Sequence, residues 1–282
     1  MQVEDRILRN VVYLGTFQED KFIPKATAFF CGVTIGAFGF IHLVTAEHVI
    51  DGFRRLGRDV AHIRMNTSGG SVLVIESKLS DWLTHPDSSH VRTDVAVIPI
   101  DLKNAPVQWL AADTSVLLKH DDIATHEFGV GDEVAVVGLF RLHPGEGRNI
   151  PVLRVGNLAA IPDEPIHTKY CGEMNAYLIE THSIGGLSGS PVWVHSPPVR
   201  VKDDQMQIAK GTRTLLLGLM HGHFDLPNQS DEMVATTGIE GAINSGIGIV
   251  VPAYRILETL NHPTLVERRK VFLKDKWQDQ RT

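Results

Sequence analysis

An all-β chain built as two packed barrels is what the sequence predicts, and three observations carry that expectation. Most of the chain is written in short runs of Val, Ile, Leu and aromatic residues broken by Gly, Asp, Asn and Pro, which is strand-and-turn composition. About six such runs lie on each side of residues 101–125, so two similar units are joined by "DLKNAPVQWLAADTSVLLKHDDIAT". Strand-like runs do not alternate with helix-period segments, and two closed barrels fit that text better than one open sheet.

In the first half, strands are expected at "NVVYLGTF", "TAFFCGVTI", "FIHLVTA", "AHIRM", "VLVIES" and "VAVIPI". In the second they are expected at "DEVAVVGLF", "VLRVGNLAAI", "AYLIETH", "SPVWVH", "TLLLGLMHG" and "GIGIVV". One late helix is expected at "PAYRILETLNH", where Pro252 suits a first turn and Tyr254, Ile256, Leu257 and Leu260 make one apolar face. Residues 1–112 then form the N-terminal barrel, residues 113–260 the C-terminal barrel with its helix, and residues 261–282 a charged tail, read as a surface helix or a frayed terminus. Residues 142–151, 196–213 and 223–245 read as long loops. Loops beyond about 12–15 residues with no structure of their own are usually functional or disordered.

Composition narrows the function classes. With 282 residues, 43% hydrophobic and 21% charged, the chain can bury a full core. A net charge of −6 without a long Lys/Arg run gives no electrostatic footprint for nucleic acid or an anionic membrane. The start, "MQVEDRILRNVVYLGTF", meets acidic residues at once and has no uninterrupted apolar stretch. It reads as neither a signal peptide nor a membrane span, so a cytoplasmic protein is expected. Cys31 and Cys171 allow one disulfide at most.

The stretch "HSIGGLSGSPVWVH", residues 182–195, crowds small residues around Ser188 and then enters a β-prone run. Taken alone it is compatible with a flexible turn. A serine hydroxyl is a poor nucleophile until a histidine takes its proton, a carboxylate holds that histidine, and backbone N–H groups face the developing oxyanion. Candidate partners exist: "LVTAEHVI" puts His48 just after an apolar strand, and "TDVAVIPI" puts Asp94 just before one.

These stretches, in the chain order His, Asp, Ser, resemble the trypsin/chymotrypsin-fold serine peptidases, nearest in flavour to HtrA-type and other bacterial trypsin-like enzymes. "VTAEHV" resembles the family's histidine motif, "TDVAVI" its aspartate motif and "GLSGSP" its nucleophile motif, with Ser190 replacing a glycine. "VGDEVAVVGLF" followed by "VGNLAAI" resembles the opening of the second barrel, and "GIGIVVPAYRILETL" the last strand and C-terminal helix. The resemblance implies two six-stranded Greek-key β-barrels and a cofactor-free endopeptidase acting on a protein or peptide. It implies Ser188 as nucleophile, His48 as base then acid, Asp94 as the group orienting His48, and the amides of Gly186 and Ser188 as the oxyanion hole.

The chain departs from the family pattern at several places. Leu187 stands where secreted relatives carry the aspartate that pairs with a processed N-terminus, so activation by such processing is not expected and a partner or the substrate would order the oxyanion hole. Cys31 sits where those relatives carry half of a disulfide, but Val49 stands where its mate would be; a buried Cys31 and a free Cys171 are expected. The resemblance places the S1 pocket on His182 and Ser183 ahead of the nucleophile and on His221 and His223 of the strand "GLMHGHF". With no aspartate six residues before Ser188, a basic P1 side chain is not expected; small apolar and acidic P1 both remain open.

Three rival readings stay on the page. His221, His223 and Asp225 would share a strand face and could meet one zinc ion, although no His-Glu-x-x-His motif is complete and the expectation is no metal. "GLSGS" superficially resembles a hydrolase elbow, but a strand-like run follows it where a helix is needed. Finally, a peptidase-fold binding or scaffold module with little turnover is the alternative to an enzyme, and Glu47 and Ser190 leave room for it. The 22 residues after 260 are too few for a PDZ domain, so regulation is expected from the long loops or a separate protein partner.

Overall fold

The computed structural model describes residues 5–87, 91–102, 105–121, 123, 128–181, 186–196, 199–202, 205–208, 213–226 and 243–279. The first half holds the short helix α1 (Asp5–Leu8), strands β1 (Val11–Gln18), β2 (Lys21–Ile35) and β3 (Phe38–Thr45), and helix α2 (Glu47–Arg55). Strands β4 (Val60–Asn66), β5 (Val72–Lys78), β6 (Leu83–Thr84), β7 (Ala96–Pro99) and β8 (Ala112–Asp113) follow. The second half carries β9 (Glu133–Gly138), β10 (Val152–Ala160), β11 (Ile166–Thr168), β12 (Gly172–Met174), β13 (Tyr177–Glu180), β14 (Pro191–Ser196), β15 (Val199–Lys202), β16 (Gln205–Ile208), β17 (Arg213–Leu226) and β18 (Ile243–Pro252). Two helices, α3 (Ala253–Leu260) and α4 (Pro263–Asp279), close the described chain.

Each of the twelve expected strand runs is a strand. The closure of the first barrel is corrected. The C-terminal half is a closed barrel in the order β10-β13-β18-β17-β14-β9, whereas the N-terminal half is a sheet in the order β5-β4-β1-β2-β3-β7-β6 with β8 beside β2. Its edge strand β6 has two residues and offers almost no ladder for β5 to close on. Residues 196–213 are also not one open loop, since β15 and β16 pair as an antiparallel hairpin within them. Residues 227–242 of the third expected loop lie outside the described residues.

Why these runs bury is plain from their residues. Phe29, Phe30, Leu43 and Ile63 from the sheet, and Val134, Val136, Val192, Leu216 and Val250 from the barrel, belong to one continuous core. Each fully buried large aliphatic or aromatic side chain contributes roughly 1.5–3 kcal/mol. The apolar face expected for the late helix is real: Ile256 and Leu260 of α3 are fully buried. The tail forms a docked helix: Leu265 of α4 is buried, and Phe272 packs edge-on against Phe38 and Phe40 of β3 at 5.7 and 5.5 Å between centroids. Among the described residues no helix is long and apolar enough to cross a membrane.

The segment after β9 straps the barrel to the sheet. Arg64 of β4 donates to the carbonyls of Gly145 and Glu146, and Asn149 donates through its side chain to the Arg64 carbonyl at 2.7 Å. The Asn66 side chain adds a further pair of bonds, donating through Nδ2 to the Asn149 carbonyl and accepting through Oδ1 from the Asn149 N–H.

Candidate active site

The pairing of β3 with β7 sets Thr45 opposite Ala96, so the residues just past the end of one strand face those just before the start of the other. His48 therefore lands in the first turn of α2 beside Asp94. Helix α2 itself was not expected from the sequence, although Val49, Ile50 and Phe53 recur at helical spacing and are buried. Asp94 is 0% exposed and accepts from the main-chain N–H of His48 at 2.8 Å through Oδ1 and from His48 Nδ1 at 2.7 Å through Oδ2. Burial alone would push this carboxyl up. The charge of His48 and the hydrogen bonds from His221 and His48 win, and hold it far below the usual carboxylate range.

Two neighbours shape the outer side of His48. Tyr170, 51% exposed on the β11–β12 hairpin, lays its ring flat on the imidazole at 4.8 Å and 7°. That hairpin is anchored to the Asp94 segment by the Arg92 N–H, which donates to the Glu173 carbonyl at 2.8 Å. Glu47 is lifted to about 7, first by burial and then by the charges of Asp51 and Asp94, against the pull of Arg92 and Arg54.

The turn carrying Ser188 belongs to the barrel but hangs on the sheet. Thr27 of β2 donates its hydroxyl to the Gly186 carbonyl at 3.1 Å and its amide to the Ser188 carbonyl at 3.1 Å. The same hydroxyl accepts from the Leu139 amide at 2.9 Å, and Thr45 donates to the Thr27 carbonyl at 2.8 Å. Within the barrel, Gly189 N–H donates to the Met220 carbonyl and Ser190 N–H to the Leu187 carbonyl. Leu187 is buried, so an apolar contact and the threonine bonds hold the turn. Two glycines make this geometry possible. Gly186 has φ +112° with Arg141 against its Cα, and Gly189 has φ +79° with Thr45 Oγ1 and the Thr27 carbonyl where a Cβ would stand.

Ser188 itself points elsewhere than expected: its Oγ donates to the His221 carbonyl at 3.2 Å rather than to His48. His221, expected in the S1 wall, also reaches the carboxylate. Its side chain is 2% exposed and its Nδ1 meets Asp94 Oδ2 at 2.5 Å. The reason is a bulge in β17: Met220 pairs with Val250 and Gly222 with Ile249, leaving His221 as the extra residue. That bulge breaks the shared face on which the zinc reading of His221, His223 and Asp225 depended. His223 turns to Asp225 instead, at 3.0 Å.

A different donor cluster, His48, Asp94 and His221, has its nearest ligand atoms within 4.8 Å of one another. Its two nitrogen–oxygen separations, 2.7 and 2.5 Å, are hydrogen-bond lengths. Ligand atoms about 2.0–2.2 Å from a tetrahedral zinc stand roughly 3.3 Å apart, so the cluster is too tight to hold an ion as it stands.

A cavity of about 290 Å³ opens beside Ser188, walled by Lys169, Tyr170, Leu187, His221, His223 and Ile249 among others, so both histidines expected in the S1 wall border it. His182 and Ser183, the other expected S1 residues, lie outside the described residues. Cys31 is buried and Cys171 half-buried, both as free thiols, and burial first, then Asp113, pushes the Cys31 thiol up to about 12. Sequence reasoning missed Thr27 and Tyr170, which carry no motif, and the tie from His221 to Asp94, which needs the bulge.

No family model matches the chain, and no curated protein sequence matches it. Solved structures do. The MamO protease domain from Magnetospirillum magneticum, in its apo form, is similar over 90% of this chain and 96% of its own, with a TM-score of 0.52 and 14% identity. An HtrA-type protease, AlgW with a tripeptide, is similar over 91% of this chain and 60% of its own, with a TM-score of 0.47 and 17% identity. The Rv3671c protease in an inactive form is similar over 90% of this chain and 89% of its own, with a TM-score of 0.43 and 14% identity. The first likeness shows the fold: this chain shares the chymotrypsin-like fold of that protease domain, mostly β, with one closed six-stranded barrel, a second sheet and C-terminal helices.

Proposed function

We propose that the protein is a serine endopeptidase that hydrolyses peptide bonds in a protein or peptide through His48, Asp94 and Ser188. One observation carries the reading: a fully buried Asp94 grips both the backbone and the ring of His48, which leaves Nε2 of that imidazole as the free base. In the reaction Ser188 Oγ turns from the His221 carbonyl to His48 Nε2, which takes its proton as the Oγ–C bond forms. The oxyanion is received by the amides of Gly186 and Ser188, neither of which has an acceptor among the described residues. His48 then returns the proton to the leaving amine as the C–N bond breaks, and a water molecule, activated by the same base, releases the acyl group from Ser188.

The cavity walls support a small apolar P1 residue over an acidic one, because His223 is already engaged by Asp225. A cleavage profile on a peptide library tests this, and a Glu-selective profile would overturn it. The proposal requires no cofactor, places the enzyme in a reducing intracellular compartment and allows a protein partner as regulator.

Labelling with a fluorophosphonate probe, mapped by mass spectrometry, tests the core reading. Modification of Ser188 that is lost in Ser188→Ala and His48→Ala is the expected result. The second reading, a peptidase-fold binding module, is favoured by one observation: the Ser188 hydroxyl rests on a carbonyl while Tyr170 covers the His48 ring. Absence of labelling together with retained peptide binding would favour it.

A further inference from the structure

Asp94 is held by two imidazoles. Both His48 and His221 present Nδ1 to the same oxygen, Oδ2, at 2.7 and 2.5 Å, while Oδ1 accepts from the His48 backbone. The rings meet edge to face with centroids 5.0 Å apart. An ionised carboxylate only accepts hydrogen bonds, so each ring must carry its proton on Nδ1, and the tautomer of His221 is fixed along with that of His48.

The bulge at residue 221 gives this residue a second contact. Its ring is turned inward to Asp94, and its carbonyl, lacking a strand partner in β18, accepts from Ser188 Oγ at 3.2 Å. One residue of the barrel thereby touches the carboxylate through its side chain and the nucleophile through its backbone. The ring is 2% exposed and packs edge to face on both His48 and Tyr170.

Resting on the peptidase reading above, we infer that His221 is a positioning residue of the site: its Nδ1–H donor fixes the Asp94 carboxylate in the rotamer that orients His48, across the junction between sheet and barrel. Without that donor, Asp94 Oδ2 keeps one bond instead of two in a water-free setting, and the carboxylate regains torsional freedom about its last bond. The effect on chemistry passes through His48, because His221 itself moves no proton.

The test compares His221→Leu, which removes the donor, with His221→Asn, whose amide Nδ2 can occupy the place of Nδ1. The second-order rate of fluorophosphonate labelling at Ser188 is expected to fall 10- to 100-fold in the leucine variant and to recover to within about 3-fold of the unmodified protein in the asparagine variant. Equal losses in both variants, or no loss in the leucine variant, would overturn the inference. If the unmodified protein does not label at all, the peptidase reading fails, and ¹⁵N-histidine NMR still decides this one. His48 and His221 are both expected to carry their proton on Nδ1 in the unmodified protein, with the His48 signal shifted in His221→Leu and little changed in His221→Asn. A His221 protonated on Nε2, or a His48 signal indifferent to the leucine substitution, would refute it.

Discussion

The side of the site that holds His48 and Asp94 and the side that holds Ser188 are built by different means. On the sheet side, two neighbouring strand ends bring His48 and Asp94 together, and Asp94 has donors on both oxygens. Side chains and backbone are both fixed there. On the barrel side the backbone of the Ser188 turn is fixed by Thr27, Leu187 and Met220, yet the hydroxyl sits on a carbonyl of its own half. The difference teaches that one side is fixed through side chains and backbone alike and the other through backbone alone; in the reading proposed above the Ser188 hydroxyl must rotate toward His48, a motion of picoseconds to nanoseconds for an unhindered rotamer.

Breaking the sheet side should have the largest effect. Asp94→Asn puts an amide among three donors and leaves at least one without an acceptor; Ser188 labelling should slow by roughly 10³ to 10⁴-fold. A rate within tenfold of the unmodified protein would mean that the buried pair is structural. On the barrel side, Gly189→Ala combines a left-handed backbone with overlap on Thr27 and Thr45, and should cost about 3 kcal/mol or more in urea unfolding. Gly36→Ala is the control, with φ +59° and open space around it, and should cost only about 1 kcal/mol. Similar losses at the two glycines would show that the fit of the turn against the sheet carries little energy.

Thr27→Val tests the link between the two sides. It removes the bond to the Gly186 carbonyl and orphans the Leu139 amide, for a loss of about 1–3 kcal/mol read by denaturant unfolding. Glu47 sharpens the contrast through pH. Its carboxyl is raised from 4.5 to about 7, so the stability it contributes is full below its ordinary value and is lost as pH rises through about 7. Asp94 has the opposite sign: held low, its contribution is present at neutral pH and is lost only as pH falls through its depressed value. The unmodified protein is therefore expected to melt at falling temperature between pH 4.5 and 7, and Glu47→Gln to flatten that fall. An unchanged slope would assign that fall to another group. Smallest of all, Tyr170→Ala should speed labelling a few-fold, since a stacked ring contact of this size is worth about 0.5–1.5 kcal/mol. Slower labelling would make Tyr170 a support for His48 instead of a cover.

The same contrast explains what could be read from the sequence. The twelve strands were legible because apolar runs and their breakers are local properties, and His48 and Asp94 because each sits at the end of such a run. Closure of the first barrel was not legible, since it turns on whether a two-residue β6 can reach β5. The bond from the His221 ring to Asp94 is hidden for a related reason. Strict alternation puts residues 221 and 223 on one face, and only the pairing with β18 reveals the extra residue between Met220 and Gly222. Thr27 is one threonine in a 15-residue strand, and nothing in its neighbours announces that it carries the turn of Ser188.

The clasp of α4 over β3 has a bearing on how the molecule is made. Phe38 and Phe40 leave the ribosome more than two hundred residues before Phe272, so the aromatic face of β3 stays wet through most of translation. His48 lies just beyond that strand, and the turn of Ser188 is hung on its neighbour. Docking of α4 thus closes, late in synthesis, the aromatic face of the strand that leads into the site.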